Sequence, residues 1–458
     1  MRYGILWAFC SCALHLGGCS SEMASPGMPS FEAGGSNIPP QTQIDAGPPP
    51  TDSTVRTVVD AVVDEDLSVD AQSVDGGIQD AANLADVEPV PLDADLVDAA
   101  PMNVDSAPLE PMPVPPETAA ILDDVPGYAQ GTRGGRDGVL YVVSTLLNSG
   151  PGSLRAGLES EEPLWIIFED GLNGTIPLEQ TIYVNSFKTV DARGHQITLQ
   201  GVRDESADEP SEGWHNTGIS LGRQNDQRRE VHDVVFLNLT FDGGWPDPHQ
   251  DGEGSDGIHL HNRVYNVWVH QCTFHNWIDG AIDARNDDDF DEMPYDITIT
   301  NSHFHDINQG LLLEAQGVTF ARNVCDRVNV RCVKTVDGGK AHVINNVIRN
   351  WRGVEIVYAK NDSQVLVDHN IFRAGGDSRL AGRTSGGGRL QDVHNIAYPV
   401  QSYRMGDRNS VDPDFKREAQ LVYGDDRKVD CENDPPDEGC WNRLYDAVVD
   451  GAGADLGN

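Results

Sequence analysis

Six stretches of this chain carry an Asn or Gln at matching places, and their spacing is that of a solenoid. Asn238, Gln271, Asn301, Asn323, Asn346 and Asn370 sit in FLNLTFDG, WVHQCTFHNW, TITNSHFHDI, VTFARNVCDR, HVINNVIRNW and VLVDHNIFRA, and the later steps are 22, 23 and 24 residues. Each stretch alternates β-branched or aromatic residues with polar ones, the period of a half-buried strand. The pattern predicts one strand of a parallel β-helix per repeat. The earlier steps of 33 and 30 residues imply coils with inserted loops, Gly243 to Ser255 and Asn286 to Glu292, and such loops commonly build a binding face.

The phase of the repeat suggests where that face lies. Eight residues after Gln271, Asn301 and Asn323 stand Asp279, Gln309 and Arg331. At one phase of successive coils, roughly 4.8 Å apart, they would line a single groove.

Length alone permits two or three domains, but a solenoid absorbs roughly 250 residues in one core. Residues 1–19 hold Arg2, an apolar core from Ile5 to Leu14, then Leu16-Gly17-Gly18-Cys19. This is an export signal too short to span a membrane, and its end resembles a bacterial lipobox with Cys19 as the lipidated residue. The expected location is the cell surface or outer membrane, or the periplasmic face, held by the lipid alone; an ordinary secretory signal is the alternative. Residues 20–126 are rich in Pro, Ala, Val and Asp, and carry 21 acidic residues against the single Arg56. Such a segment reads as a disordered, self-repelling tether. It accounts for about half of the net charge of −41, a balance that argues against a nucleic-acid partner. Residues 127–400 are assigned to the solenoid and 401–458 to an irregular tail.

Cysteine usage fits an oxidising compartment. Cys431 and Cys440 bracket a Pro/Asp-rich loop and are the leading disulfide pair, with Cys325 and Cys332 second; Cys272 reads as a buried apolar residue.

The opening GYAQGTRGGRDGVLYVVSTLLNSGPGSLRAGL, then LWIIFEDGLNGTIPL and FKTVDARGHQITLQG, resemble in content and order the amino-terminal coils of the pectate lyase superfamily, polysaccharide lyase family 1. The resemblance continues through Asp256-Gly257-Ile258, NVWVHQCTF, Asp279-Gly280-Ala281-Ile282-Asp283 and HVINN, over residues 127 to 376. It implies a right-handed parallel β-helix with a short amino-terminal capping helix, acting as a monomer on polygalacturonate. Asp279 and Asp283, four apart in an extended segment, share one face, and Asp256 lies one coil length earlier. Three hard oxygen donors suit Ca²⁺, and by the resemblance they match the family's calcium-binding acids.

Arg331 falls where the family has its catalytic arginine. The implied chemistry is β-elimination: Ca²⁺ draws charge from the uronate, a base takes the C5 proton, and the glycosidic oxygen leaves C4. Guanidinium normally stays protonated, so the resemblance implies an alkaline optimum. Gln309 replaces the family's substrate-binding lysine, Val333 and Val336 replace its Pro and second Arg, and Lys334 keeps one cation. These changes thin the positive end of the site, so three rivals stay open: a non-catalytic glycan-binding surface lipoprotein, a lyase for another uronate polymer, and a hydrolase using Asp279 and Asp283 as acid and base.

Overall fold

The computed structural model describes residues 111–202, 218–224, 227–245, 255–286, 292–375, 380–398, 411 and 438–454. The inserted loops, Cys19, Cys431 and most of the tether lie wholly or largely outside them. None of the described helices is long and apolar enough to cross a membrane.

The strands wind into a parallel β-helix with three faces. The first face runs from Val139–Val143 through Val264–His270 to Arg389–Val393, ten strands paired in parallel. The second runs from Gly174–Leu178 to Ile396–Tyr398. The third runs from Ile182–Val184 through Ile258–Leu260, Gly280–Ala284 and Val333–Thr335 to Leu380–Ser385. The 11-residue strand His303–Leu313 turns the corner and belongs to both the second and third faces.

Inward residues stack coil on coil. Phe241, Phe274 and Phe304 are fully buried, with ring centroids 4.6 and 5.0 Å apart; the third face contributes Ile219, Ile258, Ile282 and Leu311 in one row. The expected capping helix is Leu154–Leu158. Its Ser153 N-cap side chain accepts from the Ala156 N–H, and Leu154 and Leu158 close the first coil.

The repeat series is offset by one residue partway along. The side-chain ladder is Cys272, Ser302, Asn323, Asn346, Asn370 and Asn395: the backbone N–H of each donates to the side-chain oxygen of the next at 2.7–3.2 Å. Asn238, Gln271 and Asn301 occupy the preceding corner position, whose φ is 51–60°, and Arg322, Asn345, His369 and His394 continue that column. Asn tolerates this left-handed conformation, so two adjacent columns both select it and read as one series.

Two further expectations are revised. The folded unit begins at about residue 111, not 127. Ala119, Leu122 and Val125, three apart, lie under 6% exposed against Trp165, Val235, Leu237 and Trp268, an outward apolar patch that needs a cover. The tail is not wholly irregular, because Glu438–Gly451 is a helix. Its Leu444 and Val448 pack on Val324, Val347 and Ile371, and Arg349 Nη1 donates to the Tyr445 hydroxyl at 2.6 Å. The disulfide among the described residues is Cys325–Cys332, which joins two buried positions on either side of a corner. Cys272 is buried and free, its thiol pushed up to about 12 by burial. The Cys431–Cys440 pairing lies outside the described residues; the backbone of Cys440 is in the terminal helix.

Candidate active site

The third face places the acids. Gly280–Ala284 follows a corner at which the Asp279 N–H donates to Ser255 O, so Asp256 is level with Gly280, one residue off Asp279. The Asp256 carboxylate has its Oδ2 3.7 Å from His259 Nδ1. Asp256 is 5% exposed, and its Oδ1 accepts from the Gly280 N–H at 2.9 Å. A Cβ on Gly280 would stand 2.7 Å from Asp256 Oδ1 and 2.8 Å from Asp283 Oδ1. Both carboxylates therefore converge over one Cα, and only glycine leaves room for them.

Electrostatics confirms that all three acids feel one another. Burial, then the charges of Asp283 and Asp279, hold the Asp256 carboxyl well above its ordinary range. Burial, then Asp279, push Asp283 up to about 7, opposed by Arg285 and Arg331. Such a set of hard oxygens, strained by its own charge, fits Ca²⁺. The spread is wide: among the described residues, the cluster with three ligand atoms mutually within 4.8 Å is Asp368, His369 and His394.

Asp283 has an ordinary value of 3.8 and stands near 7 in the fold, so the stability its protonated form contributes is complete below 3.8 and lost as pH rises through about 7. In chelator, the melting temperature should fall between pH 4 and 7. Calcium should restore it at the upper end, with affinity tightening by up to roughly tenfold per pH unit until the carboxyl is ionised. Calorimetric melts over that range, with and without Ca²⁺, read both effects.

The basic residues arrive by a different register from the one expected. Gln309 pairs with Gly280 and Val330, and the Leu311 N–H donates to Arg331 O, so Asp279, Gln309 and Arg331 step diagonally and do not share a row. The Asp279–Gln309 step arises because the coil offset falls from 30 residues at Thr273 and His303 to 29 at Gly280 and Gln309, and the Gln309–Arg331 step is the ladder offset between Asn301 and Asn323. Gln309 is half-buried, with its Oε1 lacking a hydrogen-bond partner among the described residues. Arg331 stands at the corner with φ 60°, next to Cys332, whose disulfide anchors the turn.

Lys334 does share a row with an acid. His259, Asp283, Leu312, Lys334, Tyr358 and Arg383 are consecutive partners across the third face. The Lys334 ammonium is lowered to about 8 by burial and then by the positive charges of Arg331 and Lys360. Its Nζ lies 5.5 Å from the Tyr358 ring centroid, with the Arg383 guanidinium at 5.3 Å and the Tyr358 hydroxyl 2.6 Å from Ser385 Oγ. Arg285, Lys360, Tyr358 and Arg383 were absent from the sequence reading. One coil period added to Lys334 finds Tyr358, and another finds Arg383. The positive end is thus repopulated from neighbouring coils, while Val333 and Val336 are buried.

Residues 212–386 match the family described as "Right handed beta helix region". "Probable pectate lyase 16" of Arabidopsis thaliana is 31% identical over 276 residues, 56% of this chain and 62% of that protein. "Probable pectate lyase P59" of Solanum lycopersicum is 30% identical over 254 residues, 50% of each. The chain spans 42–62% of the length of the curated relatives it matches. Among solved structures, jun a 1, the major allergen from cedar pollen, superposes with a TM-score of 0.52 at 20% identity, covering 74% of this chain and 95% of that one. Coil register and shared fold make this chain a right-handed parallel β-helix protein, and the relatives it is similar to are named as pectate lyases.

Proposed function

We propose that the protein is a calcium-dependent polysaccharide lyase that cleaves de-esterified polygalacturonate by β-elimination. The observation that carries this reading is the row in which Asp283 and Lys334 stand two coils apart with Arg331 beside them, so that metal-binding acids and cations face one groove. The relatives named as pectate lyases support the reaction class.

Asp256, Asp279 and Asp283 would hold Ca²⁺, which when bound neutralises the uronate carboxylate and acidifies the proton on its α-carbon. Lys334, Arg285 and Arg383 attract and orient the acidic chain, and the Gln309 amide, whose Oε1 has no donor among the described residues, is placed to accept a sugar hydroxyl. Arg331 takes the C5 proton as the C4–O bond breaks. A second reading for the base is Lys334, because a lysine near 8 releases its proton far more readily than a guanidinium. The acidic polymer is met at the cell surface, through a lipid on Cys19 and a monomeric catalytic unit.

The direct test incubates the full-length protein with polygalacturonate at mildly alkaline pH and follows the ultraviolet absorbance of the 4,5-unsaturated product. Absorbance growth that needs Ca²⁺ and stops in chelator is the expected result. Calcium-dependent retention on immobilised pectate without product would instead select a binding protein, and reducing ends without absorbance would select a hydrolase.

A further inference from the structure

A second cluster of ligand-type side chains lies on the first face, toward the carboxyl-terminal coils and away from the acids. Asp368 ends the strand Gln364–Asp368, and His369 follows it at the left-handed corner with φ 49°. One coil later His394 follows Arg389–Val393 at the same corner position, with φ 51°, and the two rings lie 4.8 Å apart. One ligand atom from each of Asp368, His369 and His394 falls within 4.8 Å of the others. One coil earlier, His342 on the strand Lys340–Ile344 turns its Nε2 to 3.8 Å from Asp368 Oδ2.

His342 is the telling group. It is 1% exposed, neither of its ring nitrogens has a hydrogen-bond partner among the described residues, and 3.8 Å is too long for a hydrogen bond to Asp368. An imidazole buried with both nitrogens unsatisfied weakens the fold. A cation drawn in between His342 and Asp368 would give the Nε2 of His342 a partner.

We propose that Asp368, His369 and His394, with His342 beneath them, form a binding site for a divalent transition-metal ion, of which Zn²⁺ is the natural probe. A tetrahedral ion with bonds of about 2.0–2.1 Å sets its ligand atoms roughly 3.3 Å apart. The separations here, from the 2.5 Å His369 Nδ1 to Asp368 Oδ1 contact to the 4.8 Å limit, bracket that value. Imidazole nitrogens select Zn²⁺-like ions over Ca²⁺ and Mg²⁺, which prefer all-oxygen sites, so this site and the acidic one divide the metals between them. The ion would tie three successive coils together where the Asn ladder reaches Asn395.

The test uses untagged, full-length, chelator-stripped protein in excess Ca²⁺, titrated with Zn²⁺ by calorimetry and followed by thermal melting. One equivalent of saturable uptake and a higher melting temperature are expected. His394→Ala, which removes an exposed side chain and leaves the coil interior untouched, should weaken Zn²⁺ at least tenfold, and His369→Ala combined with it about 100-fold. Asp283→Asn should leave Zn²⁺ affinity unchanged. Absence of saturable uptake by the native protein, equal affinity in the His394→Ala protein, or loss of uptake in Asp283→Asn alone would each overturn the assignment.

Discussion

Replacing Arg331 by alanine is expected to lower kcat on polygalacturonate by about 10²- to 10⁴-fold, the range that a positioned proton acceptor contributes. Folding and calcium binding should be little changed. Arg331 is half-buried at a corner whose hydrogen bond is made by its backbone oxygen to the Leu311 N–H, and alanine keeps that bond. Its side chain lowers Asp283 only as an opposing charge, behind burial and Asp279. The comparison variant is Lys334→Ala. If Arg331 is the base, losing Lys334 should raise KM more than it lowers kcat, because a substrate-gripping cation is felt in binding as well as in the transition state. If Lys334→Ala instead abolishes kcat, and the native pH–rate profile turns near 8 while that of Arg331→Ala retains substantial rate, the proton acceptor is Lys334.

Asn346→Ala is expected to cost the domain roughly 3–5 kcal/mol of stability, read from denaturant or thermal unfolding. Asn346 is fully buried in the middle of the ladder. Its Oδ1 accepts from the Asn323 backbone and side chain at 2.8 and 3.2 Å, and its Nδ2 donates to Phe320 O and Asn370 Oδ1 at 2.9 and 2.8 Å. Truncation strands groups on the two flanking coils where water cannot reach, and buried groups without partners cost far more than an exposed hydrogen bond is worth. Its neighbour Asn345 sits in the left-handed corner column with φ 56° and is partly exposed. Asn345→Ala should cost only about 1–2 kcal/mol, the penalty of that conformation for a residue with a plain Cβ. Equal losses at the two positions would contradict the column assignment.

That pair of asparagines also shows how far the amino-acid sequence reaches. The coil period, the strand-like alternation and the Gly-Ser-Leu-Arg cap all report local chemistry: which residues like a pleated, half-buried strand and which can turn a corner. They predict a parallel β-helix, and the chain forms one. The acids were legible for the same reason, because Asp279 and Asp283 lie on one short strand and their relation needs only its twofold alternation. Asp256 was found through a coil-length count that was one residue off, an error harmless there because its carboxylate reaches over Gly280 either way.

The tertiary structure alone decided what crosses coils. A corner can absorb one residue without losing a hydrogen bond, so the count between Asn301 and Asn323 reads as a normal period while the true partner of Asn323 is Ser302. Because side chains alternate in direction, that single residue moves Arg331 off the row of Gln309, and one-residue shifts at other corners bring Lys334, Tyr358 and Arg383 into line with Asp283. The same holds for the Cys325–Cys332 bond, the apolar cover at Ala119, Leu122 and Val125, and the docking of Leu444 and Val448. Local preference determined that this chain would coil; the register between coils, set by the packing of the whole stack, determined which charges face one another.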